Sequence, residues 1–431
     1  MNFLKKQSPV RIISLGFALV ILIGSVLLSL PCSIRDGVTL RYIDALYMST
    51  SAVCVTGLLT VDAGDTFTPL GQFFLGMLIQ VGGLGVTAVG TGVILAMGKK
   101  INLKARNLIR EAGNLDSGKG VIRFIRLVFL TTVTFELAGA ALSFLVFRKN
   151  FPPLKAAGVS LFHSVASFNN SGFDILGGGQ NLIPYQDDVL LNLVTCALVI
   201  FGGIGFLVIR EVIAKRFRWK KFSMHTKVVL FMSLVLTAAG TVLLKLTEDI
   251  TWMGAFFTSV SARTAGFSTF PLGSFSGAGL LTVIVLMVIG ASPGSTGGGI
   301  KTTTCYVLVE GIRSSATNTS EKAFRYAVPA DAFRKAAVIT LLALGIVLTG
   351  TYILVILEPG VPFLDALFEM SSAFGTAGLS TGISAGLCDA AKILTILIMF
   401  IGRLGPLTIA SLWYFTKGER VSYPEGNIAI G

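Results

Sequence analysis

A chain of 431 residues that is 53% hydrophobic and only 13% charged, with a mean hydropathy of +0.79, lacks the polar side chains to cover a soluble globular surface and reads as an integral membrane protein. Its net charge of +13 lies in short clusters between apolar stretches, which excludes nucleic acid as the explanation of the charge and marks those clusters as cytoplasmic loops. Five scattered cysteines and two histidines, His163 and His225, exclude a disulfide framework, a structural zinc site and histidine-based catalysis, so the chain is not expected to be an enzyme.

The first apolar stretch, residues 10–30, is long for a signal-peptide core, and Leu30-Pro31-Cys32 offers no small-x-small cleavage site, so it is expected to remain as a span. Residues 42–60 are more polar and too short to cross the bilayer, and 70–97 returns. The same order recurs at 121–147, 161–174 and 189–213, at 228–246, 253–268 and 280–309, and at 336–357, 366–380 and 393–415. Basic clusters stand between these units, so each unit leaves and re-enters on the cytoplasmic side and both termini are cytoplasmic. The segments left on the outer side are net acidic. The expected fold is all-α integral membrane: four helix, pore-loop, helix repeats, eight transmembrane helices, in a pseudo-fourfold arrangement around one pore. The repeats are bounded at 10–98, 121–213, 226–310 and 335–416 within a single membrane domain, 1–431.

The polar middle pieces share a closing glycine: Val55-Thr56-Gly57, Asn170-Ser171-Gly172, Thr264-Ala265-Gly266 and Thr376-Ala377-Gly378, spaced glycine to glycine by 115, 94 and 112 residues. Serine, threonine and asparagine crowd the preceding positions, which suits backbone that is buried in protein or lines water. Four such pieces close a ring in which backbone carbonyls replace the water shell of a monovalent cation, and glycine supplies the conformation that aims them. These residues are therefore the expected selectivity filter. The half-helix before each, 45–51 in the first copy, turns its carbonyl end to the same centre and favours a cation there. The bland reading, glycines that merely permit close helix packing in lipid, accounts poorly for four copies in register.

A second landmark follows 24 to 30 residues later in the return helices, at Gly82-Gly83, Gly202-Gly203, Gly290 and Gly402. In the third unit it runs on into Ala291-Ser292-Pro293-Gly294-Ser295-Thr296-Gly297-Gly298-Gly299, which cannot continue a helix and should interrupt that return alone, below the ring. One obstruction among four units suggests a gate. Gly294 to Gly299 also has the spacing of a Walker loop, but Ile300 stands where the lysine is required and Lys301 falls one residue late, behind an apolar helix. Arg403, deep in the fourth return, is placed at the level of this run, either to hold it closed or to satisfy broken helix ends, with Lys301 as a further tether. Arg263 is expected behind the ring, paired with Glu369, and His163 in the packed core. Asp62, Asp65 and Asp174 are placed at the outer mouth, and Glu136 is read as a paired structural carboxylate.

On the four ring segments, on the run from Ser292 to Thr302 and on Arg403, the chain resembles the Ktr/Trk/HKT superfamily of potassium transporters over essentially its whole length. Trk-type subunits usually carry two additional spans before the first unit, so a chain starting at 10–30 looks more like the membrane subunit of a Ktr system. The resemblance implies channel-like K⁺ uptake across a bacterial plasma membrane, with K⁺ at the ring carbonyls, sodium dependence open and a gating role for Ala291 to Gly299. It also implies a homodimer on a cytosolic KtrA-like ring that binds nucleotide. No nucleotide-binding domain or covalent cofactor is expected in the chain itself, so regulation would act through that partner. The alternative is an ion-coupled secondary transporter that moves Na⁺ or H⁺ with K⁺ and uses Glu136 or Asp174.

Overall fold

In the computed structural model, which describes residues 9–97, 120–329 and 331–411, four units share one plan. The first consists of a long helix α1 (Pro9–Leu28), a short half-depth helix α2 (Tyr42–Cys54), and a return in two pieces, α3 (Pro69–Leu84) and α4 (Val86–Ala96). The second has α5 (Val121–Phe147), α6 (Pro153–Phe168), α7 (Val189–Ile204) and α8 (Phe206–Ala214). The third has α9 (Met224–Thr247), α10 (Trp252–Ala262), α11 (Gly277–Val288) and α12 (Thr302–Thr317), with a two-stranded hairpin, Lys322–Ala323 and Tyr326–Ala327, behind it. The fourth has α13 (Ala332–Leu357), α14 (Phe363–Gly375), α15 (Asp389–Leu404) and α16 (Pro406–Ser411). Basic residues from Lys99 to Lys119, the expected unit ends at 98 and 416, and both chain termini lie outside the described residues.

By length and composition, α1, α5, α9 and α13 each suffice to cross a membrane. Leu19, Leu137, Leu234 and Leu348 on these helices are exposed, an apolar surface that suits lipid. The short helices are the buried centre; every residue of α14 from Phe368 to Gly375 is enclosed. Helix starts follow local chemistry: Thr68, Asp188, Ser223, Thr251 and Ser276 each accept the N–H three residues on, satisfying a donor the helix cannot.

The return helices depart from expectation. The sequence predicts an obstruction in the third return and only a milder glycine pair in the others, whereas all four are interrupted. The helix axis turns by 102° between α3 and α4 and by 97° between α7 and α8. Gly85, Gly205 and Gly405 stand at the breaks with φ of 85°, 92° and 90°, a region from which a Cβ is largely excluded. What distinguishes the third unit is the length of its interruption: no helix is formed between Val288 and Thr302.

Small residues set the packing of the short helices on the long ones. Ser49, Ser164 and Ser259 donate to the carbonyls of Ile21, Glu136 and Thr237 at 2.7, 2.7 and 2.9 Å. Each of those carbonyls lies three residues before a glycine, Gly24, Gly139 and Gly240, where a Cβ would strike the serine hydroxyl. The fourth unit substitutes packing for this bond, with Gly350 against Met370 and Ile398.

Candidate permeation site

Each short helix ends in a left-handed residue, Val55, Asn170, Thr264 or Thr376, with φ of 56°, 58°, 88° and 49°. Two positions on, Gly57, Gly172, Gly266 and Gly378 are left-handed again, with φ of 96°, 69°, 79° and 81°. The residue between them turns its N–H back to the helix: Thr56 to Ser51, Ser171 to Ala166, Ala265 to Ser261 and Ala377 to Ser372, at 2.8 to 2.9 Å. A trans peptide sets its C=O opposite its N–H. The carbonyls of Val55, Asn170, Thr264 and Thr376 are thereby directed away from their helices. Gly57 N–H likewise donates to Ser51 Oγ at 3.0 Å, which sends the Thr56 carbonyl the same way.

The four segments meet in cyclic order. A Cβ added to Gly57 would strike the carbonyl oxygen of Ser171; on Gly172, that of Ala265; on Gly266, that of Ala377; on Gly378, that of Thr56. Each glycine thus packs on the middle carbonyl of the next unit, and the fourth returns to the first. Above this ring opens a vestibule of about 510 Å³ lined by Gly57, Gly266 and Gly378 with Asp62 and Asp174. Asp65 is not in its lining; its carboxylate accepts Gly178 N–H at 2.8 Å, as that of Asp62 accepts Gly179 N–H at 2.7 Å.

Below the ring lies the glycine-rich run. Its second-unit side is anchored to broken-helix carbonyls: Ser292 N–H donates to Gly203 O at 3.0 Å and Thr296 N–H to Gly202 O at 3.3 Å, while Phe206 N–H donates to Gly294 O at 3.0 Å. Its fourth-unit side reaches the ring, where Gly298 N–H donates to Thr376 Oγ1 at 2.9 Å. Gly297 abuts the Thr264 hydroxyl so closely that a Cβ would not fit. Arg403 donates to Thr296 O and to Gly82 O, and to Gly83 O at 3.3 Å, tying the run to the first unit as well. Lys301 Nζ donates to Gly297 O and Gly298 O at 2.9 and 3.2 Å. The second and fourth units therefore bond directly to the segment and the first is tied to it through Arg403, and two cationic side chains stand within it or against it.

Other candidates fall elsewhere. The expected pair of Arg263 with Glu369 does not form: Arg263 reaches back to Ser233 and Thr237 of α9, and Glu369 accepts from Ser380 at 2.8 Å and from Ser384. The reason is reach, since Arg263 follows the end of α10 and turns toward its own first helix. His163 is buried and bonded to Thr195 at 2.9 Å. Glu136 accepts from Asn169 at 3.0 Å, and the same amide bonds Gln80 at 2.9 Å, so this carboxyl joins the second unit to the first.

Two sets of residues escaped the sequence reading. Gly24, Gly139 and Gly240 seat the short helices; they stand 33 residues before the ring glycine in the first two units but 26 in the third, and the fourth unit has no counterpart bond, so no spacing common to all units announces them. Asp44 and Lys392 form a buried ion pair at 2.6 Å, but 348 residues separate them.

A family model for TrkH, described as a cation transport protein, matches residues 16–248 and 219–416. The chain is 37% identical over 438 residues to the Ktr system potassium uptake protein B of Bacillus subtilis (strain 168), covering 98% of this chain and 97% of that one. It is 35% identical over 448 residues to the potassium/sodium uptake protein NtpJ of Enterococcus hirae, covering 99% and 98%. Among solved structures, the crystal structure of the potassium transporter TrkH from Vibrio parahaemolyticus superposes with a TM-score of 0.75 at 19% identity, covering 95% of this chain and 86% of that one, a likeness of fold.

Proposed function

The chain belongs to the TrkH family of cation transport proteins, and on that premise we propose that it is the membrane subunit of a potassium uptake system that passes K⁺ through the four-segment ring. The observation that carries this reading is the cyclic packing of Gly57, Gly172, Gly266 and Gly378 on neighbouring carbonyls, which gives one axis surrounded by backbone oxygen. The run Ala291 to Gly299 acts as the gate, with Arg403 and Lys301 holding it shut and setting positive charge under the ring. A homodimer on a cytosolic nucleotide-binding ring is the assembly this reading carries, in a bacterial plasma membrane. Conduction is passive, so flux follows the electrochemical gradient without co-movement of H⁺ or Na⁺.

The test is cation flux in proteoliposomes. Gly266→Ser adds a Cβ that meets the Ala377 carbonyl at 2.8 Å on a left-handed backbone, so it must reshape the ring. The expected outcome is a preference for K⁺ over Na⁺ reduced by about tenfold, the loss of roughly 1.4 kcal/mol of discrimination. Unchanged discrimination in folded protein would remove the filter assignment, and flux coupled to H⁺ or Na⁺ would favour the secondary transporter.

A further inference from the structure

Between the second and third units, α7, α9 and α10 border a cavity of about 320 Å³ walled by Val199, Phe201, Leu230, Leu234 and Phe256, with one charged group in its lining, Arg263. Phe201 and Leu234 are also exposed on the outside of the bundle, so the cavity borders lipid. The Arg263 guanidinium meets only neutral oxygens: the Ser233 carbonyl at 3.1 Å and the hydroxyls of Ser233 and Thr237 at 3.3 Å. Its Nε is buried without an acceptor, and none of the ion pairs formed among the described residues includes it. A cation at membrane depth is costly unless an anion or a polar network meets its full hydrogen-bonding capacity. The chemistry that complements this cavity is an anion at one end and a chain of methylenes at the other, arriving from the lipid.

We propose that the cavity binds a long-chain carboxylic acid from the bilayer, with its carboxyl group on Arg263 and its chain along α7 and α9. A carboxylate matches the planar guanidinium fork. Ser233 stands nine residues into α9, roughly 14 Å from the cytoplasmic end of that helix, which is deeper than a phospholipid headgroup anchored at the interface. Gly203 lines the same cavity, and its carbonyl accepts the Ser292 N–H that anchors the glycine-rich run, so the bound acid lies one residue from the proposed gate.

Photolabelling with a diazirine analogue of palmitic acid, on the full chain in neutral phospholipid vesicles, tests the proposal. The expected result is adducts on peptides of α7 and α9 that exceed those from the methyl ester of the same probe by about tenfold, the worth of a charge-assisted bond. Arg263→Gln and Val199→Trp should each lower acid labelling to the level of the ester. The tryptophan fills the cavity and leaves the charge in place, so it decides the matter if the arginine variant fails to fold. Equal labelling by acid and ester overturns the proposal, as does labelling that survives Val199→Trp. Labelling confined to monomeric protein also overturns it, because a second copy then covers the mouth.

Discussion

Three residues before each ring glycine the chain carries a different residue, Cys54, Asn169, Arg263 or Gly375, and the neighbouring return segment is sized to receive it. Small Cys54 lies near Arg403, whereas bulkier Asn169 faces Gly83, and Gly375 backbone comes within 3.4 Å of a Cβ placed on Gly299. Arg263 shares its cavity with Gly203. The second residue of the glycine landmark is thus a complement to the next unit and not a general helix breaker. This separates two chemically identical substitutions. In Gly83→Ala the new methyl would collide with the Asn169 carboxamide that bonds Gln80 and Glu136. In Gly203→Ala it meets only the end of the Asn170 carboxamide, at 3.3 Å. Unfolding in mixed detergent micelles should show Gly83→Ala destabilised by about 1–3 kcal/mol and Gly203→Ala neutral or stabilised by up to about 1 kcal/mol through helix propensity. The glycines were legible in the sequence. Their partners were not, because each contact crosses from one unit to the next at a distance that local spacing does not encode.

At the scale of elements, the third return differs from the others in the length of its break, not in having one. The sequence singled out Ala291 to Gly299 because proline and four closely placed glycines forbid a helix there. It underestimated Gly85, Gly205 and Gly405, single glycines whose effect depends on a positive φ that only the packed structure imposes. The long break is held by bonds to the second and fourth units, and the Arg403 bonds to the Thr296 and Gly82 carbonyls join the first and third units through the fourth. If this segment closes the permeation path, Arg403→Gln weakens the closed arrangement while leaving the ring intact. Losing charge-assisted hydrogen bonds worth about 2 kcal/mol should shift the closed-to-open ratio roughly thirtyfold. The measurement is basal Rb⁺ uptake into proteoliposomes without the cytosolic partner, which should rise; uptake equal to wild type in folded Arg403→Gln would deprive Arg403 of a gating role.

The whole molecule must close on itself, and the seam between the fourth unit and the first carries that task at two depths. In the first turn of α15 Lys392 pairs with Asp44 of α2 at 2.6 Å, and Arg41 bridges Asp44 and Asp389 at 3.0 Å each. Eleven residues further along α15, about three helical turns, Arg403 holds the first unit again through Gly82 and Gly83. Four in-register repeats imply a ring, but nothing in the sequence says what fastens its last member to its first. Lys392 is 2% exposed and, among the described residues, its ion-pair partner is Asp44; Asp44 has Arg41 as well. The two halves of the pair are therefore unequal. Asp44→Leu leaves a buried ammonium without a counter-charge and should cost about 3–5 kcal/mol. Lys392→Met leaves Asp44 paired with the half-exposed Arg41 and should cost less. Combining the two should recover stability relative to Asp44→Leu alone, since removing both charges is milder than stranding one. Unfolding midpoints of the two single variants and the double variant in mixed micelles test this order. Equal costs that simply add would mean that the seam is held by packing, with the ion pair incidental to closure of the ring.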